Sequence, residues 1–187
     1  MTKRLEGKTV LTQGTGCVSC AAIQIASALG ATVITTSSSD TKLRLAQKLG
    51  ATYLINYKTT PAWDEEVLRI TEGKGVDHVI EIGGAQTLLK SVNSTRPGGL
   101  VSLIGILSEA EELPKEIVQS LLFSGRVLKG CVAFMRDGTE EYARFVEANG
   151  IEPVVAEVFA FGDVREAFGA LEGKEKVGKI VVRIAEE

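Results

Sequence analysis

Two patterns with different chemical meanings overlap in the segment TQGTGCVSC, which runs from Thr12 to Cys20. Its glycines, Gly14 and Gly16, favour a turn that brings backbone amides against a phosphate group. Its cysteines, Cys17 and Cys20, form a C-x-x-C pair of the kind that holds a metal ion or cycles a disulfide. These two hypotheses predict different functions, and other parts of the chain bear on the choice between them.

The C-x-x-C pair has few potential partners for a metal site. A structural zinc ion needs about four ligands, and the other cysteine and histidine residues of the chain are Cys131 and His78. Both lie in predicted strands without paired spacing, so we expect no zinc in this chain and a structural role for His78. Position alone leaves a redox role open, because a reactive C-x-x-C also lies at a helix N-terminus. We expect the pair to be small helix residues, one near a cofactor and one toward the core.

The glycine pattern has the sequence context of a dinucleotide-binding turn, because it follows a predicted strand and opens a predicted helix. Gly14 would allow the tight turn, and Gly16 would let the backbone approach a pyrophosphate at the free amides of the helix. Ser19 stands where the G-x-G-x-x-G pattern has its third glycine, and it is small enough to keep the helix close to the strand. The alternative is that the glycines only shape a turn. The predicted phosphate-binding residues are Gly14, Thr15, Gly16, Cys17 and Val18.

Strand and helix patterns alternate along the chain around this turn. Apolar, β-branched runs of strand length alternate with stretches of helical period, and glycines close the helices. Asp40 is predicted as the N-cap of the second helix, and RPGG at 96–99 as a turn. The predicted strands are 8–14, 32–36, 52–57, 76–84 and 100–105, and the predicted helices are 17–30, 40–49, 60–71 and 85–92. Short crossovers between such strands predict an α/β fold, a Rossmann-like doubly wound parallel sheet with helices on both faces.

The last third of the chain continues this alternation, with the pairing of its strands left open. Strands are predicted at 126–134, 153–159 and 176–184, and helices at 139–148 and 164–171. The tetrapeptide Leu-Gly-Ala-Thr occurs at 29–32 and again at 49–52. At both places a left-handed glycine is expected to turn a helix back onto the sheet.

Length and composition favour one compact domain that binds a small molecule. The chain has 187 residues, of which 44% are hydrophobic, and this is enough for a sizeable core. Its formal net charge of -3 is spread without runs of one sign, so no nucleic-acid or membrane surface is predicted. The N-terminus lacks the apolar core of a signal peptide, and three cysteines fit a reducing compartment, so we expect a cytoplasmic protein.

Seven segments follow one another along the sequence: GKTVLTQGTGCVS, LGATVITTSSSDTKL, LGATYLINY, GVDHVIEIGG, RPGGLVSLIG, LKGC and VREAFGALEGKEKVGKIVVRI. With these segments in family order, the sequence from about Leu5 to Ile184 resembles the cofactor-binding half of the medium-chain, zinc-type alcohol dehydrogenase and quinone oxidoreductase family. The family usually has glycine where this chain has Cys17.

The resemblance implies a cofactor domain without the chemistry of the whole enzyme. Family members carry an N-terminal catalytic domain with the zinc ligands and the substrate pocket. By resemblance, this sequence begins just before the first strand of the cofactor domain, and it has no Gly-His-Glu segment and no four-cysteine zinc loop. Residues 1–187 are therefore expected to form a single dinucleotide-binding domain, of which about 150–187 return toward the catalytic domain. No catalytic residue is predicted, and we expect no catalysis by this chain alone.

The end of the second strand bears on the choice of cofactor. NAD sites place an acidic residue there to accept the ribose 2′-hydroxyl, whereas this chain has Ser37 and Ser38. These hydroxyls, with Lys42 nearby, would bind a 2′-phosphate, and by resemblance Tyr57 matches a position used at that phosphate. The sequence therefore favours NADPH, with NADH possible. A solvated serine-rich loop with a surface lysine is the alternative.

Two further regions gain a role by resemblance. The ends of the fourth and fifth strands, with Gly83, Gly84, Gly105 and Leu107, are expected to line the nicotinamide side of the cofactor. The segment Arg126–Phe134 corresponds to the region through which family members join two cofactor domains. An apolar edge strand needs a cover, so a homodimer is expected there, with an ordinary buried strand as the alternative.

Three functions of different class follow from these observations. The first is the NADPH-binding half of a zinc-type oxidoreductase that transfers hydride between the nicotinamide and an alcohol, aldehyde or quinone carbonyl. The second is a stand-alone nucleotide-binding module or pseudoenzyme. The third is an S-adenosylmethionine-dependent methyltransferase, whose fold also has a glycine-rich first turn. The absence of an acidic residue at the end of the second strand counts against the third.

Overall fold

The computed structural model describes residues 5–108, 112–132, 136–172 and 177–185. Strands and helices alternate along these ranges. The strands are β1 (Thr9–Gln13), β2 (Thr32–Ser37), β3 (Tyr53–Asn56), β4 (Val76–Glu81), β5 (Thr95–Leu103), β6 (Val127–Gly130), β7 (Val155–Ala160) and β8 (Lys179–Arg183). The helices are α1 (Cys17–Ala28), α2 (Asp40–Lys48), α3 (Trp63–Ile70), α4 (Ala85–Ser94), α5 (Glu116–Ser124), α6 (Arg136–Ala148) and α7 (Val164–Glu172).

Strands β1 to β6 form one parallel sheet in the order β3-β2-β1-β4-β5-β6. Val10 on β1 lies beside Val33 on β2 and, on its other side, beside His78 on β4. The chain proceeds outward from β1 through β2 to β3 and then returns to add β4, so the strand order reverses between β1 and β4. In doubly wound sheets the ligand crevice opens at the carboxyl ends of the strands at this point of reversal. The predicted α/β, Rossmann-like fold is confirmed.

Two apolar clusters cover the two faces of this sheet. Successive strand residues point to opposite faces, so Val10 and Leu11 of β1 belong to different clusters. Val10 packs with the helices α1 and α2, through residues that include Ile23, Ala26 and Ala46. Leu11 packs with the helices α3, α4 and α5, through residues that include Val67, Leu88, Val92 and Ile117. Helices therefore lie on both faces, as the sequence predicts.

The two Leu-Gly-Ala-Thr joints adopt the predicted conformation. Gly30 has a φ of 87° and Gly50 a φ of 112°, a region that other residues rarely occupy. After each glycine, the backbone amide of the alanine returns to the helix: Ala31 donates to Ala26 O, and Ala51 to Ala46 O, both at 3.0 Å. These bonds close α1 and α2 and direct the chain back into the sheet.

Asp40 is not the N-cap of α2, and that prediction is wrong. Ser39 holds the N-cap position, and Asp40 is the first helical residue. The Asp40 carboxylate instead accepts a hydrogen bond at 2.7 Å from Nδ2 of Asn56, at the end of β3. A carboxylate in the first helical turn still stabilises the helix through its dipole.

The segment RPGG is not a turn before a strand, because it lies within β5. Pairing with β4 jumps from Val76–Thr95 to His78–Leu100, so residues 96–99 leave the ladder opposite Asp77. Nε of Arg96 donates to Oδ1 of Asp77 at 2.8 Å and fixes this irregularity. The pairing with β4 is interrupted here, and the strand continues on both sides of the interruption.

Two other features differ from the sequence prediction or complete it. Helix α5 was not predicted at all, and it fills the connection between β5 and β6. In the last third, β7 and β8 pair with each other in a separate two-stranded parallel sheet.

Among the helices that the structure describes, none has the length and apolarity of a membrane span.

Candidate functional site

The glycine turn between β1 and α1 lies at the point where the strand order reverses. Gly14 has a φ of 70°, which allows the sharp exit from β1, and Gly16 is the N-cap of α1. The first turn of α1 has no acidic residue, and the N-cap has no side chain to bond its amides. A Cβ placed on Gly16 would meet no atom within 4 Å. The positive end of α1 therefore faces open space, as an anion site requires.

Small hydroxyl side chains anchor this turn to the sheet. Ser19 is fully buried and donates from Oγ to Gln13 O at 2.5 Å. This contact explains how the helix lies close to β1 although the third glycine of the pattern is a serine. On the other side, Oγ1 of Thr15 lies 3.1 Å from Oγ of Ser37, at the end of β2. The turn is thus tied to both β1 and β2.

The cysteine pair has the arrangement expected of helix residues. Cys17 is exposed, while Cys20 is buried and directs Sγ toward Thr15 O at 3.4 Å. Burial, with a smaller effect of Cys17, raises the pKa of the Cys20 thiol to about 11. This thiol is therefore protonated near neutral pH and is a poor nucleophile. The described residues contain no group of three or more His, Cys, Asp or Glu side chains placed to hold a metal ion.

His78 lies on β4, within the sheet, and its side chain is hydrogen-bonded to the neighbouring strand β5. Its Nε2 is 2.8 Å from Oγ of Ser102 on β5. Burial lowers the pKa of His78, since the charged form loses its hydration. This environment agrees with the structural role that the sequence predicts for His78.

The amino terminus of α4, on the other face of the sheet, is closed by a side chain that the sequence analysis missed. Glu81 is the last residue of β4 and is 0% exposed. Its Oε1 accepts hydrogen bonds from the amides of Gly83 at 2.7 Å and Gly84 at 2.9 Å, and from Oγ1 of Thr87 at 2.7 Å. A carboxylate thus already occupies the start of α4, whereas the start of α1 is open. The signal in the sequence was an acidic residue at the last position of β4, directly before Ile-Gly-Gly.

A cleft of about 380 Å³ opens beside the glycine turn. It brings together Gly14, Tyr57, Gly83 and Leu107, which the sequence assigned to a cofactor site from four separate segments. Sequence reasoning missed the other lining residues, which are Gln13, Thr36, Pro61, Trp63, Ile82, Thr87 and Ser108.

Other predicted residues lie outside this cleft. Cys17 and Val18 line a second, mainly apolar cavity of about 510 Å³ along α1. Ser37 is only 2% exposed, and its hydroxyl is bonded to Thr15. Ser38 and Lys42 are half-buried around the start of α2.

Gly84 and Gly105 shape the edge of the sheet through close backbone contacts. Gly84 has a φ of 91°, and a Cβ there would lie 2.8 Å from Ser108 O. A Cβ on Gly105 would overlap Ile82 O and lie 2.9 Å from Cα of Ile82. These two glycines let the segments after β4 and β5 pack directly against each other.

Comparison with known proteins agrees with this architecture. The family profile described as zinc-binding dehydrogenase matches residues 17–148. The chain belongs to the zinc-binding dehydrogenase family. Among curated members, a zinc-type alcohol dehydrogenase-like protein of Schizosaccharomyces pombe is 39% identical over 180 residues, which cover 95% of this chain and 52% of the relative.

Solved structures of dehydrogenases have the same fold. The crystal structure of an NAD-dependent alcohol dehydrogenase aligns with a TM-score of 0.86 at 34% identity, over 96% of this chain and 52% of that chain. A quinone oxidoreductase of Pseudomonas syringae pv. Tomato DC3000 aligns with a TM-score of 0.81 at 25% identity, over 96% of this chain and 57% of that chain. The chain thus spans about half the length of the dehydrogenases that it matches.

Proposed function

We propose that this chain binds a nicotinamide dinucleotide and serves as the cofactor-binding part of an alcohol dehydrogenase-like or quinone oxidoreductase-like enzyme. The observation that carries the proposal is the open amino terminus of α1, which follows a glycine turn at the reversal point of a doubly wound sheet. Membership of the zinc-binding dehydrogenase family supports it. The bound cofactor would supply or accept the hydride in a reaction with an alcohol, an aldehyde or a quinone carbonyl.

The proposed cofactor site extends over two parts of the sheet edge. The backbone amides at the glycine turn would bind the pyrophosphate, and the ends of β4 and β5 would contact the nicotinamide side. The residues of the first part are Gly14, Thr15, Gly16, Cys17 and Val18, and those of the second are Gly83, Gly84, Gly105 and Leu107. The exposed position of Leu107 beside the cleft is compatible with this role.

NADPH is the favoured cofactor, because β2 ends at Ser37 without the acid that reads a ribose 2′-hydroxyl. Lys42 lies in the first turn of α2, and Tyr57, which is 41% exposed, directly follows β3. Ser38 adds a hydroxyl between the strand and the helix. Because the Ser37 hydroxyl is hydrogen-bonded to Thr15, we assign Ser37 the role of holding the end of β2 against the glycine turn.

Replacing Lys42 by glutamate should weaken NADPH binding about 10- to 100-fold and NADH binding much less, because a charged contact to phosphate contributes about 1.5 to 3 kcal/mol. Calorimetric titration with NADPH, NADH and S-adenosylmethionine gives the comparison. Lys48→Glu is the matched control, since it makes the same charge change in the last turn of α2. Equal affinities of the unmodified protein for NADPH and NADH would overturn the preference.

We also propose that the chain forms a homodimer through the region from Arg126 to Phe134. β6 is an edge strand of the sheet, and exposed apolar side chains lie on the helix before it and directly after it: Val118, Leu122 and Phe123 on α5, and Val132 after β6. An edge strand next to such a surface is readily covered by its copy about a two-fold axis. Phe134 itself lies outside the described residues.

Replacing Val132, which is 92% exposed, by lysine should shift the protein from dimer to monomer in sedimentation equilibrium without lowering its thermal stability. The lysine charge would be buried in the dimer interface and would destabilise the dimer, whereas in the monomer the lysine would stay in contact with water. Ile184→Lys, at another exposed apolar position on the C-terminal side of β8, should leave the dimer intact. A monomeric unmodified protein would refute the proposal.

A further inference from the structure

Both oxygens of the buried Glu81 carboxylate accept hydrogen bonds from groups of this chain. Besides the three donors on Oε1, its Oε2 accepts hydrogen bonds from Nε2 of Gln13 at 2.7 Å and from Oγ of Ser91. All of these groups donate, which suits an ionised carboxylate. A buried charge is tolerated when it is hydrogen-bonded in this way, and the same bonds then fix the groups around it.

Gln13 is the complementary partner of this carboxylate. Its Nε2 donates to Glu81 and, at 2.6 Å, to Oγ of Ser91. Its Oε1 accepts from the amides of Ile82 at 3.3 Å and Gly83 at 3.2 Å. One neutral side chain and one charged side chain therefore join the end of β1 to the segment after β4. Gln13, Ile82 and Gly83 all line the cleft.

The same hydrogen bonds could form with the two side chains exchanged. With glutamate at position 13 and glutamine at position 81, the carboxylate could accept hydrogen bonds from the amides of Ile82 and Gly83. The side-chain amide at position 81 could accept from Gly84 and Thr87 and donate to Ser91. What distinguishes the two arrangements is the place of the negative charge. Gln13 ends β1 directly before the glycine turn that opens α1, so a carboxylate at position 13 would bring the negative charge onto the strand that leads into the proposed anion site. Like charges repel more strongly as their separation falls.

We propose that Gln13 and Glu81 form a positioning pair for the cofactor: Glu81 holds the segment 82–84 at the cleft, and Gln13 keeps the end of β1 uncharged beside the pyrophosphate. This rests on the proposed binding of a nicotinamide dinucleotide. The pair acts in two ways: it orients the backbone of residues 82–84, and it keeps its single negative charge on Glu81 and away from position 13. It makes residue 13 a determinant of affinity for a charged ligand.

Three proteins test the pair: Glu81→Gln, the double variant Gln13→Glu/Glu81→Gln, and Glu65→Gln as a control for loss of an exposed carboxylate on α3. Glu81→Gln should unfold at lower temperature, exchange the Gly83 and Gly84 amide hydrogens faster and bind NADPH about tenfold more weakly. The double variant should recover thermal stability and amide protection, because its hydrogen bonds are complementary again. Its NADPH affinity should nevertheless remain about tenfold below that of the unmodified protein.

The outcomes separate this inference from the proposed function. A double variant that recovers NADPH affinity together with stability would show that the place of the charge is irrelevant and would overturn the proposal. A double variant that does not recover amide protection would overturn it as well, because the two arrangements would not be equivalent. An unmodified protein that binds no dinucleotide would refute the proposed function, while amide exchange in Glu81→Gln would still show whether Glu81 holds the segment.

Discussion

Replacing Gly105 by alanine is expected to lower the free energy of unfolding by about 1 to 3 kcal/mol, as forced overpacking does. The new Cβ would overlap Ile82 O and lie 2.9 Å from Cα of Ile82. Both are backbone atoms, so no side-chain rotation relieves the contact. The segments after β4 and β5 would have to separate, which would also displace Gly83 at the cleft.

Urea denaturation of Gly105→Ala gives the change in stability, and Gly162→Ala is the matched control. A Cβ on Gly162 would meet no atom within 4 Å, so this variant should change stability by less than about 0.5 kcal/mol. The packing argument is wrong if both variants unfold at the same urea concentration as the unmodified protein.

Replacing Gly16 by tryptophan is expected to reduce NADPH affinity by at least about 100-fold, because the side chain would fill the space over several free amides that each contribute a charge-assisted bond. The space above Gly16 is open, so the protein should keep its fold. Calorimetry measures the affinity, and circular dichroism during heating measures the stability.

Gly162→Trp provides the corresponding control, since a Cβ on Gly162 would also meet no atom within 4 Å and Gly162 lies in the short helical turn Phe161–Asp163. It should bind NADPH like the unmodified protein. Undiminished NADPH binding by a folded Gly16→Trp variant would place the pyrophosphate elsewhere.

The alternation of strands and helices was predictable because it depends on local patterns. The glycine turn at Gly14 and Gly16, and the joints at Gly30 and Gly50, required only a strand or helix pattern and a glycine next to it. The RPGG segment was harder, because its pairing depends on Asp77 of the neighbouring strand. Helix α5 was missed because its sequence is largely apolar around the helix, including residues on the exposed side.

The candidate site was predictable only where the backbone forms it. Gly14, Gly83 and Leu107 follow strands, and strand order alone brings them to one edge. The partners of Glu81 could not be inferred, since Gln13 lies on a different strand and Ser91 on the following helix. The Ser37 hydroxyl, expected to face a phosphate, instead binds Thr15, a contact that exists only once the turn is folded onto β2.

Amide hydrogen exchange with and without saturating NADPH tests the central claim most directly, because it locates the ligand on the folded chain. If the dinucleotide binds at the open start of α1, protection should increase at residues 14–19 and 82–84 and leave β7 and β8 unchanged. NADPH binding that protects only residues away from the carboxyl edge of the sheet, or no binding at all, would contradict the account.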